Sequence, residues 1–219
     1  MKKVLIIILL SFSIFTVYSQ KNEIIKLPDP NMTGGMPLME ALKNRQTQRD
    51  FGKKQMTIQQ ISDLLWAASG INRPESGKKT APSAVNWQEI DIYVSLKDGA
   101  YLYNTSDNTL VKIHGNDIRS DMGKQAFTSN AQICLAYVAD YKKMKFAGED
   151  NRDFYSATDT GFISQNVYLY CASEGLATVV LGYINRDKIH ESLQLNKDQK
   201  IILTQCVGYP KEEFESSDE

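Results

Sequence analysis

The chain has 219 residues, enough for one domain with a sizeable core. Lys+Arg 25 stand against Asp+Glu 26, a balance that argues against a polyanion-binding domain and so against nucleic acid as a partner. Tyr 11 is high for a simple helical bundle and suits a mixed protein with a sheet.

Lys2 and Lys3 precede an apolar run, Val4 to Val17, broken only by Ser11, Ser13 and Thr16. Val17-Tyr18-Ser19 then offers a cleavage site before Gln20, so residues 1–19 read as a secretory signal peptide and the mature protein as exported, periplasmic or secreted. The run is shorter than the roughly 20 residues a spanning helix needs, and no Cys follows it to take a lipid. No second long apolar run appears, so no stable membrane span is expected after cleavage. Cys134, Cys171 and Cys206 each sit in apolar segments, which points to buried free thiols; a Cys134–Cys206 bridge between neighbouring strands is the alternative. His114 and His190 are far apart and offer zinc little, so no metal site is assigned.

Residues 20–36 carry Pro28, Pro30 and Gly34-Gly35 and read as a linker or arm. Pro37 can open a helix running to about residue 45, with Leu38, Ala41 and Leu42 at helical spacing. A second helix is signalled by a capping box, Thr57 with Gln60, and a staple of Met56 with Ile61. Its apolar face is Ile58, Ile61, Leu64, Leu65 and Ala68, and Gly70 ends it. Residues 72–88 form a long polar loop, and loops of that length in a compact domain are functional or disordered. Period-two runs predict strands at 90–96, 100–103 and 110–113. A modest helix is expected over 117–127, with Ile118, Met122 and Ala126 on one face. Ile133 to Val138 is an apolar run consistent with a central strand buried on both faces. Residues 153–175 read as the longest helix, apolar almost all round and so central and buried, with Gln165 and Asn166 as amides needing partners. A strand at 177–181, a short helix at 187–193 and a last strand at 201–207 follow, with an acidic tail at 211–219. The hairpins at 90–113 make this an α+β domain over 37–210, a mostly antiparallel central sheet sandwiched by helices. No GxGxxG, Walker lysine motif, GxSxG or HExxH is present.

Three polar sets could carry chemistry: Arg45/Thr47/Arg49, Ser83/Asn86/Gln88 and the Gly182-Tyr183 turn. Two arginines can clamp a phosphate, amides can pair with the edge of a heterocycle, and a glycine lets a backbone N–H approach a flat ring. A phosphorylated heterocycle would require such a combination. Taken singly, each has a bland reading: solvated cations at a helix end, a turn-holding Asn, a bend between elements.

Four stretches, in this order, resemble the nitroreductase family of flavin enzymes, closest to its SagB-type dehydrogenase-like branch. They are Leu38 to Phe51 with its Arg45-Gln46-Thr47-Gln48-Arg49 centre, Leu64 to Arg73, Thr80 to Gln88 with its Pro82-Ser83-Ala84-Val85-Asn86, and Gln165 to Leu176. The resemblance implies a nitroreductase-like fold holding FMN at the interface of a homodimer. It places Arg45 and Thr47 at the FMN phosphate and ribityl chain, and Arg49 at the pyrimidine end of the ring, where a cation stabilises the charge of reduced flavin. Ser83 and Asn86 fall in a loop that closes on the cofactor from the other subunit, and Gly182 where a backbone N–H nears flavin N5. Gln46 stands where Arg or His is usual and Thr47 where Ser is usual; both keep hydrogen-bonding capacity. Lys211 is the basic residue left near the C-terminus for the phosphate. No residue is assigned as acid or base.

The expected function is therefore an exported FMN-dependent oxidoreductase, NAD(P)H being one donor. It would move a hydride through flavin N5 to or from a small flat substrate. The rivals are a SagB-like dehydrogenase oxidising a ring or peptide substrate, and an exported binding protein that keeps the fold without catalysis.

Overall fold

The computed structural model describes residues 23–212. The expected signal peptide and residues 213–219 of the expected tail lie outside the described residues. In chain order the first elements are β1 (Ile24–Lys26), α1 (Leu38–Asn44), α2 (Ile58–Ser69), β2 (Ile71–Arg73) and β3 (Lys78–Lys79). Then come β4 (Ile90–Leu96), β5 (Gly99–Asn104), β6 (Thr109–His114) and β7 (Ile133–Asp140). The chain closes with α3 (Glu149–Glu174), β8 (Ala177–Leu181), α4 (Arg186–Ser192) and β9 (Gln199–Gly208).

Seven strands form one sheet in the order β1-β6-β5-β4-β7-β9-β8, every neighbouring pair antiparallel. β7 lies inside the sheet, between β4 and β9, because it has no polar face. Ile133, Leu135, Tyr137 and Ala139 enter the core beneath α2 and α3, while Cys134, Ala136 and Val138 enter a second core on the other face. Opposite faces of a strand alternate, so a continuous apolar run buries both. Cys134 and Cys206 stand opposite each other across β7 and β9; both are free and buried, and burial pushes the Cys134 thiol well up. The expected α+β sandwich is thus the architecture observed. No helix among the described residues is long and apolar enough to cross a membrane.

Local chemistry fixes the helix ends. The Thr57 hydroxyl accepts from Gln60 N and the Gln60 side chain accepts from Thr57 N, which closes the capping box. Gly175 takes the left-handed φ of 65° and Leu176 N donates to the Cys171 carbonyl, so α3 stops and β8 begins at once.

Several expectations differ from the fold. Residues 117–127 do not make a helix; they fold as 3-10 turns at Arg119–Asp121 and Ala126–Asn130. Gly123 breaks the segment, since glycine disfavours a helix interior, and its backbone is packed so closely that a Cβ there would come within 2.7 Å of Thr128 and 2.8 Å of Leu181. The Thr128 and Ser129 hydroxyls also bond back to the Gln125 and Ala126 carbonyls, competing with a helical ladder. The loop at 72–88 is not structureless, since β2 and β3 pair around Gly77 at φ 62°. Residues 24–26 of the arm add an edge strand to β6, and Leu27 is buried. α3 starts at Glu149, with Glu149 and Asp150 facing the positive end of its dipole. It is not buried all round: Phe154, Phe162 and Gln165 are exposed, whereas Asn166 donates to the Ala67 carbonyl.

Ile58 also leaves the expected face of α2; it is 48% exposed while Leu64 is 0% exposed. Leu64→Ala is expected to cost about 2–5 kcal/mol in urea denaturation, and Ile58→Ala no more than about 0.5 kcal/mol. Equal losses would contradict this division of the helix.

Candidate functional site

The stretch Arg45 to Asp50 is neither helix nor strand. Arg45 caps α1 with its N–H on the Ala41 carbonyl, and extended backbone follows. β8 is an edge strand, so its outward backbone groups need partners. Gln48 N donates to the Thr178 carbonyl at 3.0 Å. Two residues along the same edge, Val180 N donates to the Tyr168 hydroxyl at 3.1 Å. That hydroxyl lies 3.0 Å from Thr47 Oγ1, and the Arg45 guanidinium lies 5.4 Å from the centre of the Tyr168 ring. Tyr168, on α3, therefore ties the arginine stretch to the sheet edge.

Gly182 follows directly after β8, two residues beyond Val180, and its carbonyl accepts from Ile184 N at the start of a turn. Gly182 is exposed, and a Cβ built on it meets only Leu203 Cδ2, at 3.5 Å. Beside it Lys124 Nζ lies 4.8 Å over the exposed Tyr183 ring.

The far end of the stretch is strapped to the C-terminal segment. Gly52 N donates to the Tyr209 carbonyl, Phe51 bridges Pro210, and Lys211 N donates to the Asp50 carbonyl at 3.0 Å. Arg49 and Lys211 thereby line one cavity of about 490 Å³, with Lys53, Lys97 and the Phe127 ring. Gln46 and Gln48 instead line a recess of about 190 Å³ against Tyr168, Cys171 and Thr178. Among the described residues Arg45, Arg49 and Lys211 have no carboxylate within ion-pair distance. Cations without acidic partners among the described residues suit an anion from outside the chain.

Ser83 and Asn86 belong to a separate and strained loop. Val85, Asn86 and Gln88 have φ of 51°, 58° and 49°. For a β-branched residue such as Val85, 82% exposed, that conformation is costly and needs support. The support is internal: Ser83 Oγ accepts from Gln88 N, and Gln88 Nε2 donates to the Gly77 carbonyl and to Asn86 Oδ1. Ala84 N donates to Asp159 Oδ2, which pins the loop to α3. Asp159 and Tyr168 are nine residues apart on that helix, about 13 Å at 1.5 Å per residue. Among the described residues no hydrogen bond joins the loop to the arginine stretch.

The structure thus brings Arg45, Thr47 and Gly182 onto one sheet edge, places Arg49 and Lys211 together around the corner, turns Gln46 to a neighbouring recess, and keeps Ser83 and Asn86 apart. Sequence reasoning missed Tyr168. The signal available was general: a buried tyrosine hydroxyl needs a partner.

A model of the nitroreductase family matches residues 42–209, and the chain belongs to that family. A candidate nitroreductase from Methanocaldococcus jannaschii is 30% identical over 189 residues, which cover 82% of this chain and 93% of that one. A candidate nitroreductase from Ralstonia eutropha JMP134, known from its crystal structure, is 39% identical with a TM-score of 0.83, covering 88% of this chain and 92% of that one. The NADPH:FMN oxidoreductase of Vibrio harveyi, solved with NAD+, has the same fold at TM-score 0.59 and 20% identity, covering 80% of this chain and 69% of that one. The expected nitroreductase-like fold is the one observed.

Tyr168→Phe removes the acceptor of Val180 N and the partner of Thr47. Leaving that N–H unsatisfied is expected to cost about 1–3 kcal/mol in denaturant unfolding. A stability equal to wild type would show that the hydroxyl does not hold this edge.

Proposed function

We propose that the protein is an FMN-dependent oxidoreductase that moves two electrons between a reduced donor and a small flat acceptor. One observation carries the reading: Arg45 and Thr47 are tied through Tyr168 to the open edge of β8, which Gly182 follows directly, and among the described residues the nearby cations have no acidic partner. Bound FMN supplies the redox chemistry at its N5 atom. Arg45 and Thr47 would hold its phosphate and ribityl chain; Gln46, in its own recess, and Lys211, which shares a cavity with Arg49, are not placed to join them. Arg49 would face the pyrimidine end of the ring, where its charge offsets negative charge on the reduced cofactor. The Gly182 N–H would sit closest to the ring because no side chain stands in front of it. No side chain is assigned as acid or base; this chain's residues bind, orient and supply charge.

The site would be completed by a second copy of the chain. Leu38 and Met39 on α1, Phe162 on α3 and Val85 in the strained loop are exposed apolar residues. Burying them in a dimer would bring Ser83 and Asn86 of one subunit toward the arginine stretch of the other. The basic and apolar start of the chain supports export. It also favours a second reading, a SagB-like dehydrogenase, because nicotinamide donors are scarce outside the cytoplasm. Turnover of an azoline peptide without added NAD(P)H would select that reading.

FMN titration of the chain lacking residues 1–19, followed by flavin fluorescence, tests the proposal. A yellow protein that releases FMN on denaturation is expected; absence of binding would leave the fold a non-catalytic carrier. Arg49→Ala is expected to weaken FMN binding roughly tenfold, the worth of one charge-assisted hydrogen bond, and to lower the flavin potential. Unchanged affinity and potential would remove Arg49 from this role.

A further inference from the structure

Beneath the strained loop lies a buried carboxyl pair that the redox reading does not use. Glu89, just before β4, is 0% exposed, and among the described residues neither of its carboxylate oxygens meets an N–H or O–H donor. Its neighbour is Asp159 on α3, 2% exposed, whose Oδ2 holds Ala84 N at 2.9 Å. The other charged or titratable groups facing Glu89 are Lys143 after β7, Lys79 on β3 and Tyr141. Lys143 is committed to Asp91 at 2.6 Å and reaches the Gln88 carbonyl at 3.5 Å. Lys79 is held below its ordinary pKa by burial and by Lys143. Neither lysine donates a hydrogen bond to Glu89.

Two adjacent buried carboxylates that have only the Ala84 N–H between them do not both stay charged. Burial first, and then Asp159, pushes Glu89 up to about 7. Below that pH Glu89 carries a proton and can donate it to Asp159, which keeps its charge for the Ala84 N–H. Above it the two like charges repel at the point where the loop is anchored.

We propose that Glu89 and Asp159 are positioning residues that share one proton to anchor Ala84, and with it the Ser83–Gln88 loop, in the conformation that meets the cofactor. The cofactor half of this statement rests on the FMN reading; the loop half does not. The sign is set by the raised carboxyl. Glu89 is raised from its ordinary 4.5 to about 7, so the contribution of its proton is present below about 4.5 and lost as pH rises through about 7; burial raises Asp159 as well, so the anchor, which needs Asp159 charged, weakens again at the acid end.

The first test is amide hydrogen exchange of Ala84 in the FMN-free chain, corrected for the intrinsic rate. Protection is expected to fall about tenfold between pH 6 and pH 8, following the protonated fraction of Glu89. The second is FMN titration at both pH values for wild type and Glu89→Gln, which keeps a neutral donor. The comparison is needed because the FMN phosphate itself titrates near about 6. Wild-type Kd is expected to rise about tenfold relative to Glu89→Gln across that range. Flat Ala84 protection in wild type, or parallel Kd profiles for the two proteins, would overturn the proposal. Should Glu89→Gln not fold, the wild-type exchange measurement decides alone. Should FMN not bind at all, the FMN reading fails while Ala84 exchange still decides the anchor.

Discussion

An edge strand leaves a row of N–H and C=O groups that must be paired or covered, and in this protein the row on β8 organises the site. Gln48 N covers the Thr178 carbonyl and the Tyr168 hydroxyl covers Val180 N. These two bonds fix where the arginine stretch runs. They require that α3 lie across the edge, and the left-handed turn at Gly175 provides that by sending the chain from helix to strand without a loop. Gly182 then follows directly past the end of this row. Arg45 and Thr47 are held against the β8 edge by Tyr168 on α3, so rigid structure rather than loop chemistry sets their position.

α3 serves the site at two points. Near its middle Asp159 pins the strained loop, and further along Tyr168 pins the arginine stretch. The separation between these points keeps the two polar sets from meeting in a single subunit. The exposed Leu38, Met39 and Phe162 accompany that division: the helices that position the two half-sites also present apolar side chains to solvent. A second copy of the same surfaces would cover those side chains and pair the half-sites.

What the sequence made legible was local. Thr57 and Gln60 are three residues apart, so their reciprocal bonds could be read from spacing alone, and they are present. The apolar run Ile133 to Val138 is consistent with a strand buried on both faces, and β7 is one. Arg45, Thr47 and Arg49 were found through a short motif and family resemblance. What was not legible depended on distant partners. Tyr168 works through Thr47, 121 residues away, and Asp159 through Ala84, 75 residues away. No periodicity encodes those meetings. The helix expected at 117–127 gives way to 3-10 turns, and there Leu181 packs on Gly123, a contact that no local pattern encodes. Gln46 matched the motif by position, yet it faces a different recess from Arg49, which only the extended backbone at 45–50 reveals.

The central claim is that the outward edge of β8 is where the cofactor docks, with Gly182 as its open position. Amide NMR of the protein during FMN addition tests it most directly. The Gly182 resonance is expected to shift and gain protection from exchange, while Val180, already bonded to Tyr168, changes little. A Gly182 amide that stays unchanged and freely exchanging at saturating FMN would contradict the account.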